Sequence, residues 1–366
     1  MGIDFDQISH IQNLQLQGII VPGLDPFYDA KGRTLFRLFR LIISTPDTPF
    51  DPVPIKLPAV PAGMSPYSFI SDELFYNGEK LDLGIQLRRA PIPPEESKLH
   101  YRGYTFPFGG TNNPYRELRL NPRITGCCPG RCFFCHRVHS HRVKPEEKYL
   151  FTPAELINHI QSDEGRDIFE DVQRVLIITE LFGREDHFLD TICETSQELA
   201  QVGYPEEKEF GCIAQDVRSN QGHRILNNLV RPSRYSFSLE FFENRNKLMG
   251  PYKGILIDEV LTILESARQA GFEEIQLNYL AGIDSLEASF QGFNRLVDLN
   301  LVDSVGFSTY TFFSEEQRSY RHETAWDPKY YLELVTFLSD LGVRVYHPEA
   351  FDMGSPYTIL MEKTLL

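Results

Sequence analysis

The sequence predicts an α/β chain: a partial (β/α)6 TIM-type barrel with an irregular N-terminal extension. Three observations carry this. From residue 115 to about residue 350, strand-like runs alternate with helix-like runs, as in βαβ units around a parallel sheet. Six strand runs and a short seventh suit an open arc better than a closed eightfold barrel. Residues 1–114, in contrast, carry Pro-rich stretches (STPDTPFDPVPIKLPAVPAG, RRAPIPPEES) and few clear elements. The expected division is therefore 1–114, a wrapping segment or small accessory domain, and 115–366, the barrel.

Each element has its own local reason. GRTLFRLFRLIIST at 32–45 reads as an amphipathic helix. YRELRLN at 115–121 alternates as a strand should. A helix over 153–170 begins with Thr152 as N-cap and Pro153 at the first helical position. RVLIITE at 174–180 is a continuous apolar run, suited to a parallel strand buried on both faces. HFLDTICETSQELAQV at 187–202 is the next helix, and FGCIAQ at 210–215 and YSFSLE at 235–240 are strands. A helix at 257–270 closes at Gly271, a good residue to follow a helix end. EEIQLNYLAG at 273–282, SVGFSTYTFF at 304–313 and VRVYHPEA at 343–350 complete the strands. In such a barrel, reactive groups belong at the C-terminal strand ends.

Charge limits the partners. Lys plus Arg number 36 and Asp plus Glu 51, a net charge of −15. The overall field of such a chain repels nucleic acid and anionic membrane surfaces, so neither is an expected partner. No apolar run approaches the ~18 residues of a membrane span, and no basic segment leads into an apolar one at the N-terminus. A cytoplasmic location is expected.

Four of the six cysteines fall within nine residues: Cys127, Cys128, Cys132 and Cys135, in NPRITGCCPGRCFFCHRVHSH. Cys193 and Cys212 stand apart. Without an export signal, such a cluster indicates a metal or redox centre rather than disulfides. Structural zinc is one reading, with thiolates alone or with His136, His139 or His141. Zinc modules usually draw their ligands from two separated knuckles, whereas here one short run supplies them all. Covalent haem is a second, since Cys132-Phe133-Phe134-Cys135-His136 matches C-x-x-C-H, though no distal axial ligand stands out. A cubane iron–sulfur cluster on Cys128, Cys132 and Cys135, spaced C-x3-C-x2-C, is the third. A cubane usually takes four thiolates, so three leave one iron open. Pro129 and Gly130 suit a loop that wraps a cofactor. Cys127 would widen the first spacing and is read as a non-ligand.

This spacing, with aromatic Phe134 just before the last cysteine, resembles the radical SAM superfamily. The resemblance implies a [4Fe–4S] cluster whose open iron is chelated by S-adenosyl-L-methionine. It also implies reductive cleavage to a 5′-deoxyadenosyl radical and an electron donor such as flavodoxin or ferredoxin. Over roughly 115–313 the strand ends resemble the biotin-synthase-like branch. That implies Ser238 and Glu240 at the cofactor ribose, and Thr179 and Glu180 near its amino group. It implies Gly282 beside the adenine, with Tyr310 and Phe312 packing there or filling the core. A guanidinium pairs bidentately with a carboxylate, which favours Arg245 for the cofactor carboxylate. Polar residues at strand ends are candidate substrate or catalytic groups: Gln215, Asn278, Tyr310 and His347, with Arg218 and Glu349 beside them. Arg218 would suit a carboxylate or phosphate.

After three cluster ligands, only Cys127, Cys193 and Cys212 remain, too few for a second all-cysteine cubane. Sulfur insertion and a C-terminal auxiliary-cluster domain are therefore disfavoured, and no D-x-H-x-x-G cobalamin signature is visible. The expectation is a single-cluster radical enzyme acting on a small organic substrate by rearrangement, C–C cleavage or related lyase or mutase chemistry. Two alternatives stay open: a radical SAM peptide-modifying enzyme, and a non-catalytic zinc-stabilised binding protein.

Overall fold

The computed structural model describes residues 5–22, 27–28, 34–35, 37–44, 53–83, 86–89, 103–106, 116–124, 128–135, 149–312 and 314–346. The barrel strands are β1 (Glu117–Leu120), β2 (Arg174–Ile177), β3 (Glu209–Cys212), β4 (Arg234–Glu240), β5 (Glu274–Ala281), β6 (Ser304–Thr309) and β7 (Arg344–Tyr346). Between them run α1 (Pro153–Glu164), α2 (Glu185–Gln201), α3 (Asn220–Asn227), α4 (Ile257–Gln269), α5 (Leu286–Asp298) and α6 (Pro328–Asp340). β1, β2 and β3 pair in parallel, as do β4 through β7. A parallel bridge from Ile213 to Ser236 joins the two halves. The result is an open arc of seven parallel strands in chain order, the partial barrel that the alternation predicts. Among the described residues β7 does not pair back to β1.

The local signals work where they are strong. Thr152 caps α1 by accepting from Glu155 N–H at 3.3 Å, and Glu155 returns the bond to Thr152 N–H at 2.9 Å. The helix stops at Glu164, short of 170, because Gly165 takes a φ of 99° and a separate turn, Ile168–Asp171, follows. Gly271 follows α4 with a φ of 94°, in the left-handed region that suits glycine.

Alternation along the strands separates two faces. Leu118, Val175, Phe210, Leu277 and Phe307 share one buried core with Ile160, Ile192, Leu264 and Leu296 of the helices. The intervening residues face the lumen. At its N-terminal end they form a charged layer. Arg174 bridges Glu117 at 3.3 Å and Glu209 at 3.0 Å, and Arg119 meets Glu117 at 2.6 Å. Across the lumen, Arg234 meets Glu274 at 2.8 Å and Arg344 joins the same carboxylate.

The N-terminal third is more regular than its composition suggests. It holds a helix, Phe5–Gln17, and a hairpin, Tyr67–Ile70 with Glu73–Tyr76. Ile11, Leu14, Leu57, Phe69 and Leu74 form a small core there. The expected helix at 32–45 is corrected: Arg37–Ser44 is a strand, paired antiparallel with Val53–Ala59 and Gln86–Arg89. The run RLFRLIIS is apolar at both periods, and neighbouring strands decide such a case. Gln12 ties the N-terminal helix to the barrel through Thr309 Oγ1 at 3.2 Å. No described helix is long and apolar enough to cross a membrane.

Candidate active site

The cysteine loop follows β1 and lies over other strand ends. Phe133 N–H donates to Leu248 O at 2.7 Å, and Gly250 N–H donates to Gly130 O at 2.6 Å. Gln317 Nε2 donates to Phe133 O at 2.7 Å. Leu248 and Gly250 follow β4 and Gln317 follows β6, so two distant strand ends hold the loop. Phe134 meets Phe241 edge-on, with ring centroids 5.5 Å apart. Gly250 is needed for this approach: a β-carbon there would stand 2.9 Å from Pro129 O and 3.0 Å from both Gly130 O and Arg131 Cβ.

Cys132 is buried, and Cys128 and Cys135 are half-buried. A β-carbon on Gly130 would lie 3.4 Å from Cys128 Sγ and 3.6 Å from Cys132 Sγ, so both sulfurs flank that glycine. Burial pushes the Cys132 thiol up to about 12, against the pull of the Lys253 ammonium. Such a thiol is held as thiolate only by a strong positive partner such as a metal centre. Among the described residues no three Cys, His, Asp or Glu side chains converge closely enough to enclose one metal ion. A cubane instead takes each thiolate on a separate iron, and three thiols on one loop fit that demand. Cys127, His136, His139, His141, His347 and Glu349 lie outside the described residues.

Two buried aspartates after strand ends organise the neighbouring turns. Asp216, beyond β3, accepts from Phe182 N–H at 3.1 Å, Gly183 N–H at 2.9 Å and Tyr252 O–H at 2.8 Å. Asp284, beyond β5, accepts from Phe242 N–H at 2.7 Å, Glu243 N–H at 3.0 Å and Tyr279 O–H at 2.9 Å. Each acid ties down the turn that ends the preceding strand. Burial raises both carboxyls above their ordinary range, Asp284 to about 6. Neither acid stands out in the sequence as a site residue. Their signal was an acid just past a strand end, in AQD and AGID.

Glu240 ends β4 with a φ of 68° and forms an ion pair with Lys253, both largely buried. Burial works against the Lys253 charge, but Glu240 together with the Cys132 and Cys135 sulfurs outweighs it and raises the ammonium pKa. Ser238 is buried beside it, and its N–H donates to Gln215 Oε1 at 3.1 Å. Asn278 Oδ1 lies 3.4 Å from the Tyr346 hydroxyl. Glu180 is buried just beyond β2. Gly282 has a φ of 109°, and a β-carbon there would stand 2.6 Å from Tyr331 Oη. Gln215, Ser238 and Asn278 thus share one layer of the lumen, and Glu240 sits by the cysteine loop with Lys253.

The side chains of four candidate residues are engaged within the fold. Arg245 directs its guanidinium to backbone carbonyls. Nε donates to Ile255 O at 2.9 Å, Nη1 to Phe241 O at 2.7 Å and to Leu239 O, and Nη2 to Lys253 O at 3.3 Å. Its burial lowers the pKa to about 10. The guanidinium is a brace for the loop after β4. Thr179 uses its hydroxyl on the Arg123 backbone, donating to O at 3.0 Å and accepting from N–H at 3.2 Å. Tyr310 fills the core and donates to Gln317 O at 2.8 Å. Arg218 stacks on Tyr252 with its carbon 4.3 Å from the ring centre and donates to Tyr252 O.

No protein-family model matches this chain, and no curated protein matches its sequence. Among solved structures it is similar to the [FeFe]-hydrogenase maturase HydG of Carboxydothermus hydrogenoformans. That match has 15% identity over 65% of this chain and 56% of the other, with a TM-score of 0.44. Streptococcus suis SuiB bound to its precursor peptide SuiA matches at 11% identity over 63% of this chain and 47% of the other, with a TM-score of 0.45. The radical SAM enzyme coproporphyrinogen III oxidase (HemN) of Escherichia coli matches at 14% identity over 58% and 50%, with a TM-score of 0.42. The chain spans about half the length of these solved chains.

Proposed function

We propose that the chain is a radical SAM enzyme acting on a small organic substrate. One observation carries this: the C-x3-C-x2-C loop is pinned at the C-terminal mouth of an open parallel barrel by the loops after β4 and β6. Cys128, Cys132 and Cys135 would hold a [4Fe–4S] cluster, leaving one iron for the amino and carboxylate groups of S-adenosyl-L-methionine. When bound, that pair supplies one-electron cleavage of the sulfonium and a 5′-deoxyadenosyl radical for hydrogen abstraction or addition. The electron would come from a donor of the flavodoxin or ferredoxin class.

The chain's own residues bind and orient. Glu240 offers carboxylate oxygens to two ribose hydroxyls, and Lys253 holds that carboxylate in place. Lys253, rather than Arg245, is the cation of this loop whose charge is coupled to both Cys132 and Cys135. Asp216 and Asp284 fix the turns beside the cofactor with backbone hydrogen bonds, so these turns need not reorganise on binding. Phe134 and Phe241 cover one side of the cysteine loop with apolar surface, which keeps water from it. Ser238 and Glu180 complete the cofactor side, and Gln215 and Asn278 serve the substrate.

The test is anaerobic reconstitution followed by S-adenosyl-L-methionine and dithionite, with 5′-deoxyadenosine as the product measured. The control is the triple variant Cys128→Ala, Cys132→Ala, Cys135→Ala. Cluster-dependent 5′-deoxyadenosine is expected. Bound zinc in place of iron, or a fully loaded iron–sulfur protein that never cleaves the cofactor, would overturn the proposal.

A further inference from the structure

The lumen carries a second polar layer above the charged one, separated from it by Ser236, Gln276 and Ser304. Ser238 pairs in register with Asn278, Asn278 with Gly306, and Gly306 with Tyr346. Gln215 joins this row through the hydrogen bond from Ser238 N–H, at 3.1 Å. Gly306 lets the row close up, since a β-carbon there would stand 2.8 Å from Asn278 Oδ1 and 2.5 Å from Tyr346 Oη.

The bond from Ser238 settles the orientation of the Gln215 amide. Oε1 is the acceptor, so Nε2 and its two hydrogens form the other end. Gln215 is 2% exposed, and among the described residues Nε2 has no hydrogen-bond partner. A buried amide donor without a partner is costly, and native proteins keep few of them without a reason. The bridge from Ile213 to Ser236 continues the strand's pairing, and Gln215 follows in the turn beyond it, with its amide held at Ser238 of the lumen row.

Charge decides which oxygen it meets. Deeper in the lumen, Arg174 is paired with Glu117 and Glu209, and Arg234 and Arg344 with Glu274. The groups beside Gln215 in its own layer are a serine, an asparagine and a phenol, with the buried carboxyl of Glu180 at the end of the neighbouring strand, and none of them is a cation. A carboxylate or phosphate buried there would lose its hydration without gaining a cation, and one carboxamide donor does not offset that. A neutral carbonyl oxygen needs only a donor. We propose that Gln215 is a specificity-determining residue. Its Nε2 receives an uncharged carbonyl or carboxamide oxygen of the substrate, and the lumen floor selects against anionic groups. This rests on the proposal that the barrel lumen holds the substrate, and it replaces the expectation of a carboxylate or phosphate at Arg218.

The test uses the full chain, anaerobically reconstituted, with and without S-adenosyl-L-methionine. Saturation-transfer NMR reads the binding of N-acetyl-alaninamide, 2-pyrrolidinone, acetate and inorganic phosphate. At least one neutral probe is expected to bind about fivefold or more tighter than either anion. The capped amino acid winning would indicate a peptide-like substrate, and the lactam winning a compact one. Gln215→Met keeps the volume and removes the donor; a loss of about tenfold for the neutral probes is expected, with no gain for the anions. Anions binding as tightly as the neutral probes overturns the proposal, as does no neutral probe binding, or unchanged binding in Gln215→Met. The wild-type selectivity needs no variant, so a misfolded Gln215→Met does not remove the test. Failure of the radical SAM proposal appears separately, as no cluster-dependent 5′-deoxyadenosine, and leaves the probe selectivity untouched.

Discussion

Gly250→Ala places one methyl group against the cysteine loop. Gly250 is not in the left-handed region, so alanine there carries no backbone strain. The new β-carbon would stand 2.9 Å from Pro129 O, 3.0 Å from Gly130 O and 3.0 Å from Arg131 Cβ. These are backbone and β-carbon atoms, so no side-chain rotation relieves the contact. Ordinary contact begins at 3.4 Å, so the loop must retreat by about 0.5 Å. Overpacking of this kind costs ~1–3 kcal/mol. The 2.6 Å bond from Gly250 N–H to Gly130 O is stretched as well, which adds ~1 kcal/mol. The sum, ~2–4 kcal/mol, falls on the segment that holds Cys128 and Cys132. The assay is iron and acid-labile sulfide per chain after reconstitution, alongside far-UV circular dichroism and thermal unfolding. Iron and sulfide are expected to fall to less than half of wild type, with the secondary structure intact. A variant with full iron and sulfide and an unchanged unfolding temperature refutes the claim that the β4 loop sets the cysteine loop.

Three further predictions follow from the buried groups. Arg245→Ala leaves four backbone carbonyls without their donor and is expected to cost ~3–5 kcal/mol in denaturant unfolding; a variant of unchanged stability that only binds S-adenosyl-L-methionine weakly would restore the carboxylate-binding role. Asp284 has its carboxyl raised from an ordinary 3.8 to about 6 by burial, so the folded state holds the proton more tightly than the unfolded state. Its contribution to stability is therefore complete below about pH 4 and is lost as pH rises to about 6. The wild-type minus Asp284→Asn difference in unfolding free energy is expected to decline over that window and to be flat above it; a difference that rises with pH contradicts the burial argument. Cys212 is buried among core residues, and its thiol is pushed up to about 12 by burial alone. Cys212→Ala is accordingly expected to keep its full iron content while Cys132→Ala loses it, as read by metal analysis of both reconstituted variants.

The barrel is legible along the chain because its signals are local. β4, β5 and α4 show their periods over thirteen residues or fewer, and Thr152, Glu155 and Gly271 mark helix ends by chemistry completed within one turn. The cysteine loop is equally local: Cys128, Cys132 and Cys135 carry their spacing with them. Arg37–Ser44 is different. Its apolar run satisfies either period, and the strands at 53–59 and 86–89 settle the choice. The roles of single polar side chains are the least legible. Gln317 braces Phe133 from 184 residues away, and Asp216 holds a turn 33 and 34 residues before it. Arg245 looks like a ligand-binding cation until the carbonyls of Leu239, Phe241, Lys253 and Ile255 are folded around it. Periodicity and capping come from the backbone of one segment, so they leave a trace in order and spacing. A hydrogen bond between two loops depends on which strands lie side by side, and adjacent strands leave no periodic mark on each other's sequence.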